Sequence, residues 1–284
     1  MKVYLKVPGH LSKAMFRVAD ALTRWLPEGV VLTKDPGEAD FQVLHVVGDG
    51  IDALSNLCTQ RYAVIQYCYG TTPDVEGLDR LWSGAQLVWS YLPIGAIVHV
   101  PFYHAPLGID EAFKRQWNGA GRTVGVLTSG YVSGPEAEAI KETALAAAEV
   151  GLSVVHLGPE NVQGMDTYPN NWFSTTGISD DDLCFLYQRS RWVSGLRHIE
   201  GFELPVIEGL ASGVRPIVFD RPDMRQWYNG YVEFVADRSG PALVDDLVEL
   251  FKRGPYPVTE LERKAVLERF DWEPIARGFW ERAL

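Results

Sequence analysis

The pattern that most constrains this chain is a repeated alternation between short apolar runs and longer segments with one apolar face. Residues Val3–Val7 form an apolar run that ends at Pro8-Gly9. The segment after them repeats apolar residues at helical spacing, at Leu11, Met15, Val18, Leu22 and Trp25. Parallel strands need a crossover connection, which is usually a helix. The alternation therefore predicts α/β units with parallel sheets.

The length and the position of one polar segment predict two domains. A chain of 284 residues is comfortable for two domains on the rough prior of 100–200 residues each. The polar, glycine-bearing stretch Lys114–Arg122 reads as a linker. After it the alternation restarts with a strand at Thr123–Thr128. We therefore predict an N-terminal domain at 1–112 and a second domain at 120–258.

Two capping signatures mark helix starts in the second domain. Ser133 and Glu136 form a capping-box pair ahead of a helix over Pro135–Val150. Ser179 and Asp182 repeat the signature before another helix, and three aspartates in its first turn suit the positive end of the helix dipole.

Composition limits the classes of partner. The net charge of −11 disfavours bulk binding of nucleic acid, which depends on Lys and Arg releasing counterions from phosphate. The three cysteines have no metal-like spacing, and no apolar run approaches the ~20 residues of a membrane span. We expect a reduced, cytoplasmic protein without a metal site or a membrane span. The sequence does not indicate its oligomeric state.

The segment Gly195–Asp220 carries the chemistry. It reads as a loop, a helix that begins at Pro205 and a buried strand, with Glu200 just before the helix and Glu208 one turn inside it. Ligands of open α/β sheets bind at the carboxyl ends of the strands, where both carboxylates can accept hydrogen bonds from sugar hydroxyls. The backbone amides of Gly201, Phe202 and Glu203 at the same helix start favour an anion such as phosphate.

This stretch resembles the retaining glycosyltransferase family 4, whose signature is two glutamates separated by seven residues within a Glu-Gly-Phe-Gly-Leu-Pro context. Pro106–Asp110 looks like the hinge of that family, and Phe270–Glu273 resembles the start of its last helix. In this sequence the predicted helix has Trp272, Ile275 and Phe279 on one side. The resemblance covers about residues 106–284 in the family's order.

The resemblance implies an α/β fold of two Rossmann-like domains facing a cleft, known as GT-B. In this fold the segment 259–284 packs back toward the N-terminal domain, and the C-terminal helix crosses to it. The implied activity is the metal-independent transfer of a sugar from a nucleotide-sugar donor to an acceptor hydroxyl, with retention and without a cofactor. Glu200 would hold the sugar hydroxyls and Glu208 the ribose, while residues 201–203 and Leu204 would line the donor site.

Three departures from the family pattern matter. The loop Thr128–Gly134, which includes Gly130 of the predicted donor site, lacks the Arg and Lys that clamp the diphosphate in the family. Glu203 stands where the family has glycine. Arg197, three residues before Glu200, is the candidate replacement for the missing clamp.

Candidates in the first domain are fewer. The family's catalytic His-Gly corresponds to Tyr69-Gly70, so Tyr69 is the candidate there. The resemblance also implies a glycine loop near the acceptor, at Gly9 and His10. His45, at the end of a predicted strand, is either an acceptor-site residue or a core histidine.

Two other functions remain open. A non-catalytic protein that binds nucleotide sugars is favoured by the missing basic clamp. A nicotinamide-dependent oxidoreductase is suggested by Gly48–Ala53, which matches G-x-G-x-x-A, but this segment follows the third strand rather than the first.

Overall fold

The structure is a computed structural model that describes residues 1–6, 13–47, 55–67, 75–115, 121–130, 138–158, 172–175, 177–198 and 201–284. It divides into two compact units. The first comprises Met1–Gly108 and Phe270–Leu284, and the second comprises Ile109–Arg269. Within the segment 259–284, residues up to Arg269 belong to the second unit and residues from Phe270 belong to the first.

The first unit contains a six-stranded, wholly parallel sheet in the order β2-β1-β3-β4-β5-β6. Its strands are β1 (Lys2–Lys6), β2 (Val31–Leu32), β3 (Phe41–Val46), β4 (Tyr62–Gln66), β5 (Leu87–Ser90) and β6 (Phe102–His104), and its helices are α1 (Lys13–Arg24) and α2 (Val75–Ser83), together with the C-terminal helix described below. Strands β3, β4 and β5 are buried at every position, as expected of a parallel sheet covered on both faces.

The C-terminal helix α9 (Trp272–Ala283) belongs to this first unit. Trp272, Ile275 and Phe279 are buried, which confirms the apolar stripe read from the sequence. Trp280 donates its indole N–H to the carbonyl of Leu22 in α1 over 3.0 Å. The C-terminal helix therefore packs within the N-terminal unit, where it contacts α1.

The second unit contains another six-stranded parallel sheet, in the order β12-β11-β10-β7-β8-β9. Its strands are β7 (Val124–Ser129), β8 (Val154–Leu157), β9 (Trp172–Thr175), β10 (Ser190–Gly195), β11 (Arg215–Phe219) and β12 (Glu233–Val235), and its helices are α3 (Ile140–Glu149), α4 (Asp180–Arg189), α5 (Leu204–Ala211), α6 (Pro222–Tyr228), α7 (Pro241–Arg253) and α8 (Glu260–Arg269). Apolar residues from β7, β10, β11, α3 and α7 form one core.

Helix α4 begins as the sequence predicts. Ser179 is its N-cap, and the side-chain oxygen accepts from the amide of Asp182 over 3.1 Å. Helix α3 begins at Ile140 rather than at Pro135, and the predicted capping pair at Ser133 and Glu136 lies outside the described residues.

Three buried or half-buried arginines in the second unit donate to backbone carbonyls. Arg122 donates to Ser190 and Gly213, over 2.8 and 2.6 Å. Arg215 donates to the carbonyls of Tyr231, Tyr256 and Pro257 and pairs with Glu262, and Arg263 donates to those of Ala211, Lys114 and Arg115. These contacts fix the loops that join α8 to the rest of the unit.

Gly108 offers a test of how α9 packs in the first unit. A Cβ atom on Gly108 would lie 2.3 Å from Cδ2 of Trp272, which is itself buried. We expect Gly108→Ala to lower the free energy of unfolding by about 1–3 kcal/mol, the usual cost of overpacking a core. Urea denaturation measures the change. Gly121→Ala is the control, because its Cβ would meet nothing within 4 Å. Equal midpoints for the two variants would contradict the packing.

Candidate functional site

Two predicted site residues of the second unit, Gly130 and Arg197, lie together at the carboxyl ends of adjacent strands. Strands β10, β7 and β8 are neighbours and run parallel, so their carboxyl ends lie at one edge of the sheet. Ser129 ends β7, His156 lies one residue before the end of β8, and Arg197 follows β10 by two residues. This edge is where ligands bind in open α/β sheets.

Arg197 is the cation of this edge. Its Nη1 lies 2.9 Å from Oε2 of Glu203, and its Nη2 donates to the carbonyl of Ser129 over 3.0 Å. The side chain of Arg197 is 16% exposed and that of Glu203 is 1% exposed. The guanidinium thus reaches from the end of β10 to the end of β7, where the resemblance places the phosphate clamp.

Gly130 lies directly against this guanidinium. A Cβ atom there would be 2.5 Å from Nη2 of Arg197, and the φ of +101° favours glycine. A side chain at position 130 would therefore displace Arg197 from the end of β7. The predicted donor-site glycine lies beside the predicted clamp.

Glu138 supplies a second carboxylate to this edge. It is 4% exposed, and its Oε2 accepts from the amide of Ser129 over 3.0 Å. Residues 138 and 197 also form an isolated antiparallel β-bridge. Burial raises the pKa of Glu138 from 4.5 to about 7, although the charge of Arg197, the Ser194 hydroxyl and the Ser129 amide favour the ionised form. Glu138 therefore titrates near neutral pH.

His156 completes the polar cluster. Its Nδ1 lies 2.9 Å from the Thr128 hydroxyl, and its side chain is buried. Burial lowers its pKa to about 4; the carbonyl of Gly130 acts in the opposite direction, and the charge of Arg197 lowers the pKa further. The imidazole is therefore neutral at pH 7.

The backbone that leads toward Glu200 is held by a second arginine. Arg221 donates through Nη1 to the carbonyl of Arg197 over 3.1 Å and to the carbonyl of His198, and it also pairs with Asp223. The ring of His198 stacks on Phe219 with centroids 4.5 Å apart, and its Nδ1 lies 2.6 Å from Asp237. Residues 197 and 198 are thus fixed from both sides.

The sequence predicts that the backbone amides at the start of α5 bind an anion, but one of them has a partner within the protein. The amide of Glu203 donates to the hydroxyl of Tyr228 over 2.7 Å, so it is already satisfied within the protein. Gly201 and Phe202 are buried, and the Phe202 ring packs against Trp227 and Tyr228 at centroid distances of 5.9 and 5.6 Å. These two aromatic residues, both from α6, fill the space beside the helix start.

Glu208 lies inside α5 and is 2% exposed. Its Oε2 accepts from the Tyr187 hydroxyl over 2.9 Å, and Tyr187 is also buried. Leu204, the first residue of α5, is half-buried. In this conformation Glu208 is part of an interior pair, so a ribose would reach it only after neighbouring residues move.

Several predicted site residues lie outside the described part of the chain. These are Glu200, Tyr69, Gly9 and His10, and the suggested dinucleotide segment 48–53 lies outside it as well. Of the first-unit candidates His45 is described. Its Nδ1 lies 2.9 Å from the Tyr67 hydroxyl, and its ring stacks on Tyr67. Burial lowers its pKa to about 3, so it is neutral.

Sequence reasoning missed Glu138, His156 and Tyr187. His156 is a polar residue within the apolar run Val154–Leu157, at the end of a strand, and this was the available signal. Glu138 was assigned to a helix that begins only at Ile140. Tyr187 is an ordinary buried position of α4 by its spacing, and nothing local pointed to its contact with Glu208.

The described residues contain neither a cluster of metal-ligating side chains nor a helix that could span a membrane. Within them, no three His, Cys, Asp or Glu side chains are placed so that they could hold a metal ion. No helix in the same part of the chain has the length and apolar character needed to cross a membrane.

Comparison with known proteins identifies the fold. No family model matches the chain, and no curated protein matches it by sequence. The structure is similar to that of AviGT4, a glycosyltransferase involved in avilamycin A biosynthesis, with a TM-score of 0.69 and 17% identity over 99% of this chain and 96% of that one.

Two further structures are also similar. Sucrose-phosphate synthase from Thermosynechococcus elongatus has a TM-score of 0.73 and 12% identity over 99% of this chain and 97% of the other. The pneumococcal O-GlcNAc transferase GtfA, in complex with UDP and GlcNAc, has a TM-score of 0.63 and 14% identity over 96% of this chain and 60% of its own. The chain therefore has the GT-B fold of glycosyltransferases, which confirms the predicted fold class.

The raised pKa of Glu138 predicts a specific pH dependence. Between about pH 4.5 and 7 the folded protein keeps a proton that the unfolded chain has released, so the contribution of Glu138 to stability falls as the pH rises. Glu138→Gln cannot titrate. As the pH rises from 4.5 to 7, we expect the free energy of unfolding of the wild type to fall by roughly 3 kcal/mol relative to that of Glu138→Gln. The estimate follows because one pKa unit is about 1.4 kcal/mol.

Urea denaturation between pH 4.5 and 8 measures this difference. His45 and His156 titrate in both proteins with lowered pKa values, so their effect cancels in the comparison. Glu149→Gln, at an exposed position of α3, is the control for removing one carboxylate. Parallel profiles for wild type and Glu138→Gln would show that Glu138 does not titrate in this range.

Proposed function

We propose that this protein is a glycosyltransferase that moves a sugar from a nucleotide-sugar donor to an acceptor hydroxyl, with retention of configuration and without a metal ion. The observation that carries the proposal is the likeness of its fold, over almost the whole chain, to AviGT4 and to sucrose-phosphate synthase. The resemblance of Gly195–Asp220 to the retaining family 4 supports the finer assignment.

The roles of the individual residues follow from that resemblance and from the edge described above. Arg197 would stabilise the negative charge that develops on the leaving phosphate, because a fixed cation in a half-buried site acts more strongly than one in water. Glu200 would hold the sugar hydroxyls and Glu208 the ribose. Tyr69, Gly9, His10 and His45 would face the acceptor.

A non-catalytic protein that binds nucleotide sugars is the second candidate. The pairing of Arg197 with Glu203 favours it, because a cation that is already neutralised stabilises a leaving phosphate less well. Turnover separates the two functions. An enzyme releases nucleotide from UDP-, GDP-, ADP- or dTDP-sugars, whereas a binder only gains thermal stability in their presence. NMR of the product gives the anomeric configuration.

Arg197 provides the first test of the mechanism. We expect Arg197→Ala to lower the rate of donor turnover by about 10²–10³-fold, the range for removing one preorganised group that stabilises transition-state charge. Binding of the bare nucleoside should stay unchanged, because it carries no phosphate. Arg197→Lys should recover only part of the rate, since an ammonium lacks the planar fork of guanidinium.

Arg197→Ala leaves Glu203 buried without its partner, so the variant is also made together with Glu203→Gln. Arg238→Ala, which removes a surface pair with Asp246, is the control. All assays are run both with and without EDTA. Wild-type turnover by the folded Arg197 variants would remove Arg197 from the mechanism, and loss of wild-type turnover in EDTA would contradict metal independence.

Glu208 provides the second test. If it accepts from the ribose hydroxyls, Glu208→Ala weakens nucleotide binding by about 1.5–3 kcal/mol, as for hydrogen bonds to a charged group. Tyr187→Phe removes the same interior hydrogen bond but leaves the carboxylate in place. Calorimetry on both variants distinguishes the roles: equal nucleotide affinities would mean that Glu208 serves only the interior pair.

A further inference from the structure

The Glu203 carboxylate does not cap the helix that it precedes. It is the N-cap residue of α5, with extended backbone angles, yet its side chain accepts no hydrogen bond from the helix amides. Asp, Asn, Ser and Thr are the residues that cap helices well. The side chain turns instead toward Arg197 and is 1% exposed. The family motif has glycine at this position, so the carboxylate is an addition of this chain.

Two carboxylates interact with Arg197. Glu203 contacts the guanidinium over 2.9 Å, and Glu138, two residues before α3, interacts with the same charge. Arg221, the next cation along this edge, is engaged by Asp223 and by the carbonyls of Arg197 and His198. An incoming diphosphate therefore meets a guanidinium that already has a carboxylate partner.

We propose that Glu203 is an internal anion that occupies Arg197 in the ligand-free protein and that the donor diphosphate must displace. The inference rests on the proposed function. Carboxylate and phosphate oxygens accept from the same planar fork, so the two compete for it. Separating Glu203 from Arg197 also leaves a buried carboxylate without its charge partner, which is costly. The pair therefore lowers the affinity for diphosphates. Only a ligand whose own contacts offset the free energy of separating Glu203 from Arg197 binds to the guanidinium.

The test is the affinity of nucleoside diphosphates for Glu203→Gln. Calorimetry with UDP, GDP, ADP, CDP and dTDP first identifies which nucleotide the wild type binds. We expect Glu203→Gln to bind that nucleotide about tenfold more tightly, which corresponds to about 1.4 kcal/mol. The corresponding nucleoside, which has no phosphate, should bind both proteins equally. Glu203→Gly, which restores the family residue, should tighten binding in the same way and guards against misfolding of the glutamine variant.

Glu262→Gln is the matched control, because Glu262 pairs with the buried Arg215 of the same unit over 3.0 Å and lies in α8. Its nucleotide affinity should equal that of wild type. Unchanged or weaker diphosphate binding by both Glu203 variants, when the wild type binds, would overturn the inference and leave the proposed function standing. Absence of nucleotide binding by wild type and variants alike would overturn both.

Discussion

The contact between the Arg197 guanidinium and the Glu203 carboxylate organises the carboxyl edge of the second sheet. A guanidinium that is 16% exposed must find partners within the protein, and it finds the carbonyl at the end of β7 as well as Glu203. This placement requires Gly130 to lack a side chain. It also moderates the pKa of Glu138, since burial alone favours its neutral form. One positive charge therefore connects residues 129–138 with residues 197–203, two stretches that are far apart in sequence.

Three other arginines of the second unit have a different role. Arg122, Arg215 and Arg263 donate to backbone carbonyls of the chain that surrounds the sheet. An unpaired buried carbonyl is costly, and a guanidinium offers five donors in fixed directions. These residues hold the linker and α8 against the rest of the unit. They do not contribute their charges to the carboxyl edge of the sheet. The unit thus separates the arginines that hold the scaffold from the one that faces the candidate site.

Much of the fold follows from local patterns in the sequence. The N-cap at Ser179 and the apolar stripe of α9 are local, and the structure confirms both. The start of α3 was misplaced because a capping-box pattern at Ser133 was read without knowledge of the bridge between residues 138 and 197. A β-bridge joins residues distant in sequence, so a window of neighbouring residues does not contain it.

The candidate site was predicted less well, for the same reason. Sequence reasoning selected Arg197, Gly130 and Glu208, and the first two lie together at the sheet edge. It assigned the Glu203 amide to an anion and the Glu208 carboxylate to a ribose, whereas Tyr228 and Tyr187 contact these groups here. Both tyrosines come from other helices. A motif identifies groups that could contact a ligand. Tertiary contacts such as these two determine whether a group is instead engaged within the protein.

The Arg197–Glu203 pair also sets the order in which such a site can diverge over evolutionary time. If Arg197 is lost first, the Glu203 carboxylate, which is 1% exposed, loses its charge partner. Breaking a buried pair in this way typically lowers the free energy of unfolding by about 3–5 kcal/mol. Losing Glu203 first leaves a guanidinium that still holds the Ser129 carbonyl and retains some contact with solvent. Replacing Glu203 by glycine while Arg197 is kept is therefore the less destabilising first step, and losing Arg197 while Glu203 is kept is the more destabilising one.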